Sequence, residues 1–583
     1  MAAPSFGSFK KIIVYLSPHW RLIAGGTFAL FLANGLGVYI PLLIRDSVDD
    51  LTPPFDASQV VWIVLGIGML ATVMWFIRMA SRLLIFGVGR QVEYELKQGI
   101  FEQLLKLEPL YFARNTIGDL ISRATSDVDN IRRLVGFAVL SLINTFFAYV
   151  LTIPAMFALH VPLSLLAISV YPLMFLSVNL FGDRLRDYQL EVQEKVSELS
   201  ELVQEDMSGI SLIKIYSQED NERDAFRAKN QQLLQANLKL ARVRNVLFPL
   251  IEGLAYVSLL LLLAFGTEII KAGTITIGDF IALIILVERL VFPTALLGFT
   301  ITAFQRGEVS IQRVETIFHA TPNIQSVPAP LGFNPQTITG KITAHGLTYR
   351  YPDSTTPALN QVDFTIEAGE MVAIVGTIGA GKSTLANALP RLLDIAPGQL
   401  LVDGYDITQV SLTDLRAAIA FVPQESFLFS TTIAENIAYG DPSQDLEAIQ
   451  KAAKQAYLDQ EIMTFPKGYD TLVGERGITL SGGQRQRTAL ARALILDSPV
   501  LVLDDALSSV DNQTATQILR YLSQRDNTVI FISHQLSAAA QADRIFVMDQ
   551  GVIAQMGSHE ALMQEQGLYL NLWRQYELKQ ALA

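Results

Sequence analysis

Nearly all the long apolar runs of the chain lie in the first 305 residues, where they alternate with polar, charged segments. A transmembrane helix needs about 20 apolar residues, because the hydrocarbon core of a bilayer is roughly 30 Å thick and a helix rises about 1.5 Å per residue. Six runs are long enough, at about 21–44, 60–86, 134–158, 160–182, 247–270 and 277–303. The pattern therefore predicts an α-helical domain with six transmembrane spans over residues 21–308.

Two of the polar segments, 87–133 and 183–246, are unusually long and have the composition of helices rather than of coil. We expect each leg to continue its transmembrane helix, so that residues 183–246 reach roughly 45 Å from the membrane and return. Turn-forming residues predict where the chain reverses: Pro109, Asn115 and Gly118 in the first segment, Ser208 and Gly209 in the second.

Basic residues predict the orientation of this domain, since they accumulate in cytoplasmic loops. The segment 87–133 contains Arg90, Lys97, Lys106, Arg114, Arg123, Arg132 and Arg133, whereas the loop after the first span has Arg45 against Asp46, Asp49, Asp50 and Asp56. We therefore expect the long polar segments and both chain ends on the cytoplasmic side of the cell's inner (plasma) membrane.

The segments beside the six spans have patterns of their own. Residues 1–20 are expected to form an interfacial elbow helix, because apolar and basic residues alternate there: Phe6, Phe9, Ile12, Ile13 and Leu16 with Lys10 and Lys11. No cleavable signal peptide is expected. A proline-rich stretch predicts an extended linker over residues 309–340, with Pro322, Pro328, Pro330 and Pro335.

Residues 341–583 have a different pattern, with short apolar strands that precede helices, and they contain a glycine-rich loop. The loop follows the apolar run 371–375 and comprises Gly376, Thr377, Ile378, Gly379, Ala380, Gly381, Lys382 and Ser383, with Thr384 next. Glycines let backbone N–H groups surround phosphates, Lys382 supplies a positive charge, and the Ser383 hydroxyl is a ligand for Mg²⁺. A bare match arises by chance, but a strand before it and a helix after it favour nucleotide binding.

A second candidate element lies about 120 residues further along the chain. The apolar run Val500, Leu501, Val502, Leu503 ends in Asp504 and Asp505. A buried strand that places a carboxylate beside a phosphate loop is typical of proteins that hold Mg²⁺ there. An ordinary core strand with a polar end is the alternative, and the phosphate loop makes it the weaker one.

Between these elements lies the sequence Leu480, Ser481, Gly482, Gly483, Gln484, which resembles the signature sequence of ABC transporters. The resemblance extends to Tyr351, to Gln424 after a proline, to Ser508–Asp511 and to His534. It implies that Tyr351 stacks on adenine, that Gln424 approaches Mg²⁺ and meets the membrane domain, and that Ser481–Gln484 and Asp511 belong to the ATP site. Read by themselves, Tyr351 is a packing aromatic, Gln424 a surface residue and Ser481 a helix cap.

In this family the signature segment faces ATP held by another copy of the domain, so that two domains enclose two ATP molecules. The chain has one phosphate loop and one signature sequence. The resemblance therefore implies a dimer, either of this chain with itself or with a related half-transporter.

Position 505 carries aspartate where most of the family has the glutamate that orients the attacking water. A carboxylate withdrawn by roughly 1 Å costs about 10²-fold in rate, so we expect slow hydrolysis at this site. Two explanations stay open. The chain is the slow half of a heterodimer, or it is a homodimer in which Asp505, helped by His534, hydrolyses ATP slowly but sufficiently.

Six spans, long intracellular helices and a C-terminal α/β P-loop nucleotide-binding domain resemble ABC exporters whose membrane and ATPase units are fused. The resemblance covers essentially all 583 residues. It implies that short segments near Thr116–Ser122 and Ile210–Tyr216 are coupling helices between the two domains. Solvated hairpins without a coupling role are the alternative.

Composition excludes several other functions. A net charge of −12 argues against a nucleic-acid substrate, which requires a basic surface. The chain has no cysteine, so disulfides, thiol catalysis and cysteine metal sites are excluded. Six spans exclude a soluble ATPase, and the fusion of membrane and ATPase units disfavours an importer.

Charged residues within the spans are the candidate cargo contacts. Glu252, Glu288 and Arg289 would each cost on the order of 3 kcal/mol at the bilayer centre if unpaired, so they are expected to face a cavity or one another. Glu288 and Arg289 are neighbours in sequence and point to different sides of their helix. Pairing between helices, or a position near the membrane interface, is the alternative. Proline at 172, 249 and 293 is expected to kink the spans or to be tolerated within them.

The sequence therefore predicts an ATP- and Mg²⁺-dependent export or flipping of amphipathic drugs or lipids. Peptide export is disfavoured, because no peptidase domain precedes the spans. An ATP-gated channel or a regulatory subunit without net pumping is the alternative from a different class.

Overall fold

The computed structural model describes residues 12–50, 57–327, 330, 332–352 and 354–582. Two compact units divide the chain, the first formed by residues 1–105 and 115–320 and the second by residues 106–114 and 321–583. The predicted fold class is confirmed, since six long apolar helices precede an α/β domain. Residues 1–11 of the predicted elbow helix lie outside the described residues, as do Asp56 and Pro328.

The helices of the first half of the chain are α1 (Trp20–Asp49), α2 (Ala57–Leu104), α3 (Pro109–Arg114), α4 (Ile117–Ser122), α5 (Val128–Arg133), α6 (Val139–Leu159), α7 (Val161–Ile168), α8 (Tyr171–Ser208), α9 (Ile210–Ile215), α10 (Glu219–Lys271) and α11 (Ile277–Phe318). Two π-helical stretches, Arg123–Asp127 and Leu134–Ala138, join α4, α5 and α6. The six membrane-length helical segments are Ile12–Asp49, Val60–Leu104, Ile117–Leu159, Val161–Ser208, Glu219–Lys271 and Ile277–Phe318.

Apolar side chains of the membrane unit divide between a packed interior and an outer surface. Met156, Leu163, Leu262 and Leu283 are completely buried between helices. Many other large apolar side chains are exposed, as is normal for helices surrounded by lipid, among them Trp62, Trp75, Leu83, Leu260 and Phe292. Burial alone therefore does not mark the core of this unit, because lipid and protein interior are both apolar.

α11 begins at a capping box and extends beyond the predicted sixth span. Its first turn is a capping box, in which Thr276 accepts the N–H of Asp279 and Asp279 accepts the N–H of Thr276. The helix continues to Phe318, so the first residues of the predicted linker at 309–340 are helical. Its apolar periodicity persists there, with Ile311, Val314 and Ile317 buried.

The chain reverses at the tips of the long helices, near the predicted turns. One tip is α9, a short helix between α8 and α10 within the predicted coupling segment 210–216. The other tip contains two short helices, α3 and α4. Lys106–Arg114, which includes α3, belongs to the nucleotide unit, whereas Thr116–Ser122 stays with the membrane unit. Glu108 fixes this segment, because its carboxylate accepts the amide Nδ2 of Asn323 at 2.8 Å and the backbone N of Asn323 at 3.2 Å.

The nucleotide unit contains two sheets, one of four strands in the order β2–β1–β4–β5 and one of six in the order β10–β9–β3–β8–β7–β6. The strands are β1 (Ile342–Tyr349), β2 (Leu359–Ile366), β3 (Met371–Gly376), β4 (Leu400–Val402), β5 (Tyr405–Asp406), β6 (Ile419–Val422), β7 (Val500–Asp504), β8 (Thr528–Ile532), β9 (Arg544–Asp549) and β10 (Val552–Gly557).

The helices of this unit are α12 (Lys382–Ala388), α13 (Leu412–Ala418), α14 (Ile433–Ile437), α15 (Leu446–Gln455), α16 (Asp459–Ile462), α17 (Gly482–Leu494), α18 (Asn512–Leu522), α19 (Leu536–Ala539), α20 (His559–Gln564) and α21 (Leu568–Leu582). β3, β8, β7 and β6 pair in parallel. Because parallel strands end at the same edge of a sheet, the loops after these four strands meet there.

Candidate functional site

The phosphate loop connects the end of β3 to the start of α12. Gly376 has φ 148°, and a Cβ there would lie 2.0 Å from the backbone oxygen of Met548, so only glycine fits. Lys382 folds back over the loop and donates from Nζ to the carbonyl oxygens of Gly376 at 3.1 Å and Thr377 at 2.8 Å. The loop is therefore closed around its lysine at the N-terminus of a helix, an arrangement suited to phosphate.

Ser383 and Asp504 meet beside this loop. The Ser383 hydroxyl donates to Asp504 Oδ1 at 3.0 Å, although 121 positions separate the two residues. Both groups are hard oxygen ligands of the kind that Mg²⁺ takes together with water and phosphate oxygens. The residues present therefore fit a Mg²⁺ ion, which Ser383 and Asp504 would hold and which would neutralise phosphate charge.

The electrostatics of this site depend on burial and on nearby carboxylates. Burial raises the pKa of Asp504, and the neighbouring charge of Asp505 adds to this rise, while Ser383 and Lys382 oppose it. Burial lowers the pKa of Lys382, against the opposing effect of Asp505 and Asp504. Each charge is thus poorly solvated and depends on the others, as expected of a site prepared for a highly charged ligand.

Asp505 lies directly after β7 and is buried, with 9% of its surface exposed. Its backbone has φ 49°, in the left-handed region, and its N–H donates to the carbonyl of Ile532 at 3.2 Å. Aspartate tolerates this conformation better than most residues, because its short polar side chain bonds locally. The carboxylate thus belongs to the same group of charges as Lys382 and Asp504.

The remaining predicted residues lie around the same sheet edge. Gln424 follows β6 and His534 follows β8, and both side chains are exposed. His534 lies close enough to Asp504 to act on it electrostatically. Tyr351 is half-buried, packs edge-on against Tyr349 with 5.0 Å between the rings, and its hydroxyl lies 3.4 Å from that of Thr384. Ile378 is 94% exposed at the outside of the loop.

The signature segment begins a different helix, α17. Ser481 and Gln484 form a capping box, so the Ser481 hydroxyl caps the helix whose start was predicted to face ATP. A Cβ at Gly483 would lie 2.9 Å from the carbonyl oxygen of Ser509, which requires glycine at this close approach. Asp511 caps α18 by accepting the N–H of Thr514 at 2.9 Å, a bond that lowers the pKa of Asp511.

Two residues that support the site were missed by sequence reasoning. Asp549, at the end of β9, accepts the Thr377 hydroxyl at 2.9 Å and so anchors the phosphate loop. Gln486, 6% exposed, donates to the Ser508 hydroxyl at 3.0 Å and accepts the N–H of Ser509 at 2.8 Å. A glutamine within the otherwise apolar face of a helix was the signal for the second of these.

Charged residues of the spans separate onto different surfaces. Glu288 is exposed, whereas Arg289 is half-buried and donates from Nη2 to the backbone oxygen and the Oδ1 of Asn34, at 3.1 Å and 3.0 Å. Glu252 is also exposed and accepts the hydroxyl of Tyr256 at 3.1 Å. In the described part of the chain, neither glutamate forms an ion pair.

Family models match both units of the chain. Residues 23–294 match the model described as ABC transporter transmembrane region, and residues 359–508 match the model described as ABC transporter. The second match spans the phosphate loop, the signature segment and the two aspartates.

Relatives align over nearly the full length. The chain is 32% identical to an ATP-dependent lipid A-core flippase of Syntrophus aciditrophicus (strain SB), over 97% of this chain and 94% of the relative. It is also 32% identical to the multidrug resistance-like ATP-binding protein MdlA of Escherichia coli (strain K12), over 98% and 97%. Among solved structures, a bacterial Atm1-family ABC exporter with ATP bound is similar, with a TM-score of 0.77, 26% identity, and coverage of 95% of this chain and 98% of the other.

Proposed function

Because the chain belongs to the ABC transporter family, we propose that it is one half of a dimeric exporter that uses ATP to move amphipathic lipids or drugs across the inner membrane. Its relatives support this class of cargo, since they are named as a lipid A-core flippase and a multidrug resistance-like protein. The basic residues of 87–133 favour a cytoplasmic location for the nucleotide unit and both chain ends.

The observation that carries the dimer is the separation of the two ATP-binding elements within one chain. Hydrogen bonds of the phosphate loop include those to Asp504 and Asp549, and hydrogen bonds of the signature helix include those to Glu461, Ser508 and Ser509. In the described residues, no hydrogen bond joins the two elements. A second nucleotide domain would place its Ser481 segment opposite this phosphate loop and complete the site.

Exposed apolar side chains on α9 also support a partner. Leu212 and Ile215 on this short helix, and Tyr216 directly after it, are 59%, 71% and 68% exposed. A polar tip would be expected if this helix faced only water. We infer that α9 docks on a nucleotide domain and transmits its closure to the membrane helices.

The chemistry at the site follows from its residues. Lys382 and the loop N–H groups bind and orient the phosphates, and Ser383 and Asp504 would hold Mg²⁺, which would neutralise phosphate charge. Asp505, with His534 nearby, positions the attacking water. Closure of the two nucleotide domains then drives the membrane helices toward an outward opening, and hydrolysis resets them. The short reach of Asp505 makes hydrolysis the slow step.

ATPase turnover of the chain purified alone as a dimer in lipid nanodiscs tests this proposal. Turnover that Lys382→Ala abolishes, while Lys451→Ala on the exposed surface of α15 leaves it unchanged, would establish a self-sufficient homodimer. An inactive chain that a co-expressed related half restores would identify the slow half of a heterodimer. ATPase that no amphipathic cargo stimulates in vesicles would instead favour a channel or regulator.

A further inference from the structure

Arg289 takes part in a polar cluster between helices α1, α6 and α11. Its guanidinium binds Asn34 twice, and Asn34 Nδ2 in turn donates to Asn144 Oδ1 at 3.1 Å. Asn34 is only 5% exposed. The guanidinium also lies on the bare backbone of Gly37, where a Cβ would be 1.7 Å from Nη1. The surrounding helices are therefore shaped to hold this side chain in one position.

The cluster lies near the middle of the bilayer. Arg289 comes twelve residues after the start of α11, or about 18 Å along a helix that enters a core roughly 30 Å thick. A charged residue at this depth is costly, faces the interior of a bundle or a water-filled cavity, and usually has a partner. Arginine does not lose its proton in proteins, so the cost of burying its charge remains.

The partners of Arg289 in the described residues are neutral. Its guanidinium binds only the amide groups of Asn34, and its Nε is buried without a hydrogen-bond partner. Glu288 does not compensate the charge, because adjacent residues point to different sides of a helix. The positive charge is thus held in place by the fold but not neutralised by it.

Arg78 on α2 adds a second positive charge at the same height. Gly26 of α1 packs against Ile85 of α2, and the two helices are antiparallel. Eight residues after Gly26 on α1 and eight before Ile85 on α2, Asn34 and Ile77 therefore lie at the same depth in the membrane. Arg78 acts electrostatically on Arg289, and Arg82 acts on Arg78 in the same way. Arg78 is exposed, and its one hydrogen bond is a weak contact to Met74 Sδ at 3.9 Å. Within the described residues, none of the three arginines pairs with a carboxylate.

We propose that Arg289, held by Asn34, and Arg78 bind the oxyanion of an amphipathic cargo, so that the exporter prefers phosphate- or sulfonate-bearing amphipaths. This arginine site rests on the proposed export function and defines its substrate class. Arginine presents planar donors that match the oxygens of such a group, and a low-dielectric surrounding strengthens the attraction. An apolar tail attached to the anion has lipid-facing helix surface beside it, at Trp75 and Met79.

Equilibrium binding of dodecyl phosphate to the full chain in nanodiscs of neutral, zwitterionic lipid tests this site. Dodecyl maltoside, which has the same tail and an uncharged headgroup without an oxyanion, is the reference probe. We expect dodecyl phosphate to bind at least tenfold more tightly than the reference. Arg289→Gln and Arg78→Gln are each expected to weaken dodecyl phosphate binding about tenfold and to leave the reference unchanged. Arg21→Gln, at the cytoplasmic start of α1, is the matched control and should change neither.

The outcomes separate the proposal from its alternatives. Equal binding of both probes, or an equal loss of both in Arg289→Gln, would show that the arginine only packs the helices and would overturn the proposal. The same holds if no probe binds and both variants weaken the dimer, since a carboxylate of a second chain would then be the partner. If Arg289→Gln failed to fold, Arg78→Gln would still test the proposal, because the Arg78 side chain is exposed and its replacement should not disturb folding.

Binding is measured without nucleotide, so its result is independent of whether the chain hydrolyses ATP. Doping the nanodiscs with phosphatidylglycerol distinguishes two sources of the anion. Displacement of dodecyl phosphate by the doped lipid would identify a lipid headgroup as the cargo anion. Undisturbed binding would identify a soluble amphipath.

Discussion

The carboxylate of Asp49, in the last turn of α1, accepts the backbone N–H of Gly278, in the first turn of α11, with 2.8 Å between Oδ1 and the amide nitrogen. Its other oxygen accepts the Thr276 hydroxyl at 2.6 Å. Asp49 thereby accepts hydrogen bonds from the N-terminus of a helix that begins much later in the chain; Gly278 is 229 positions away in sequence. A Cβ at position 278 would lie 2.3 Å from the carbonyl oxygen of Arg45, so the approach requires glycine.

Asp49→Ala should loosen this end of the membrane unit. We expect a loss of about 1–3 kcal/mol, because a charged acceptor of two bonds is removed and the N–H of Gly278 is left without it. Hydrogen exchange of the amides at 278–281 should become faster, and the apparent melting temperature should fall. Asp50→Ala is the control, since the Asp50 side chain forms no such bond. Unchanged exchange at α11 would show that the capping box holds the helix start unaided.

The length of the carboxylate at position 505 should control ATP turnover. Asp505→Asn is expected to lower turnover at least 10²-fold, because it removes the charge that polarises the attacking water. Asp505→Glu restores about 1 Å of reach and should raise turnover toward 10²-fold, less the cost of placing glutamate at φ 49°. Phosphate release under steady state measures both. If Asp505→Glu turned over no faster than the unaltered chain, the reach of the carboxylate would not be the limit.

Asp504 should make the nucleotide-free domain sensitive to pH. Burial beside Asp505 raises its pKa, so the folded domain favours the protonated form more than the unfolded chain does. The stability contribution is complete below the ordinary aspartate pKa and is lost as pH rises through the raised value. Asp504→Asn should therefore raise the melting temperature of the apo chain at pH 7 and have little effect near pH 4. A stabilisation that did not shrink on acidification would exclude this cause.

Gln486 should couple the signature helix to the segment after Asp505. Gln486→Ala is expected to cost about 0.5–1.5 kcal/mol, because it removes the hydrogen bonds to the N–H of Ser509 and to the Ser508 hydroxyl. Turnover should fall while ATP affinity changes little, since no bond of Gln486 reaches the phosphate loop. Gln513→Ala, at an exposed position of α18, provides the comparison. A parallel loss of ATP affinity would point to general unfolding of the domain.

The sequence predicts the nucleotide unit well because its chemistry follows short motifs at the ends of buried strands. Once β3 and β7 are recognised, parallel pairing brings Ser383 and Asp504 together. Contacts between distant helices carry no such local signal. The bond from Arg289 to Asn34 crosses 255 positions, and the left-handed backbone at Asp505 depends on where β8 lies. The coupling roles of Thr116–Ser122 and Ile210–Tyr216 stay predictions, because turn signals locate where the chain reverses and not what the reversal contacts.

Pro293 lies one helical turn after Arg289 in α11 and has no N–H to donate to the Arg289 carbonyl. The helix is therefore weakest in bending at the residue that carries the unneutralised charge. An anion bound to Arg289 would act on α11 within one turn of this proline. The helix continues 25 residues beyond Pro293, about 38 Å, to Phe318, so a small bend at the proline would displace the Phe318 end by a large distance. Cargo recognition and helix bending would then be one mechanical event.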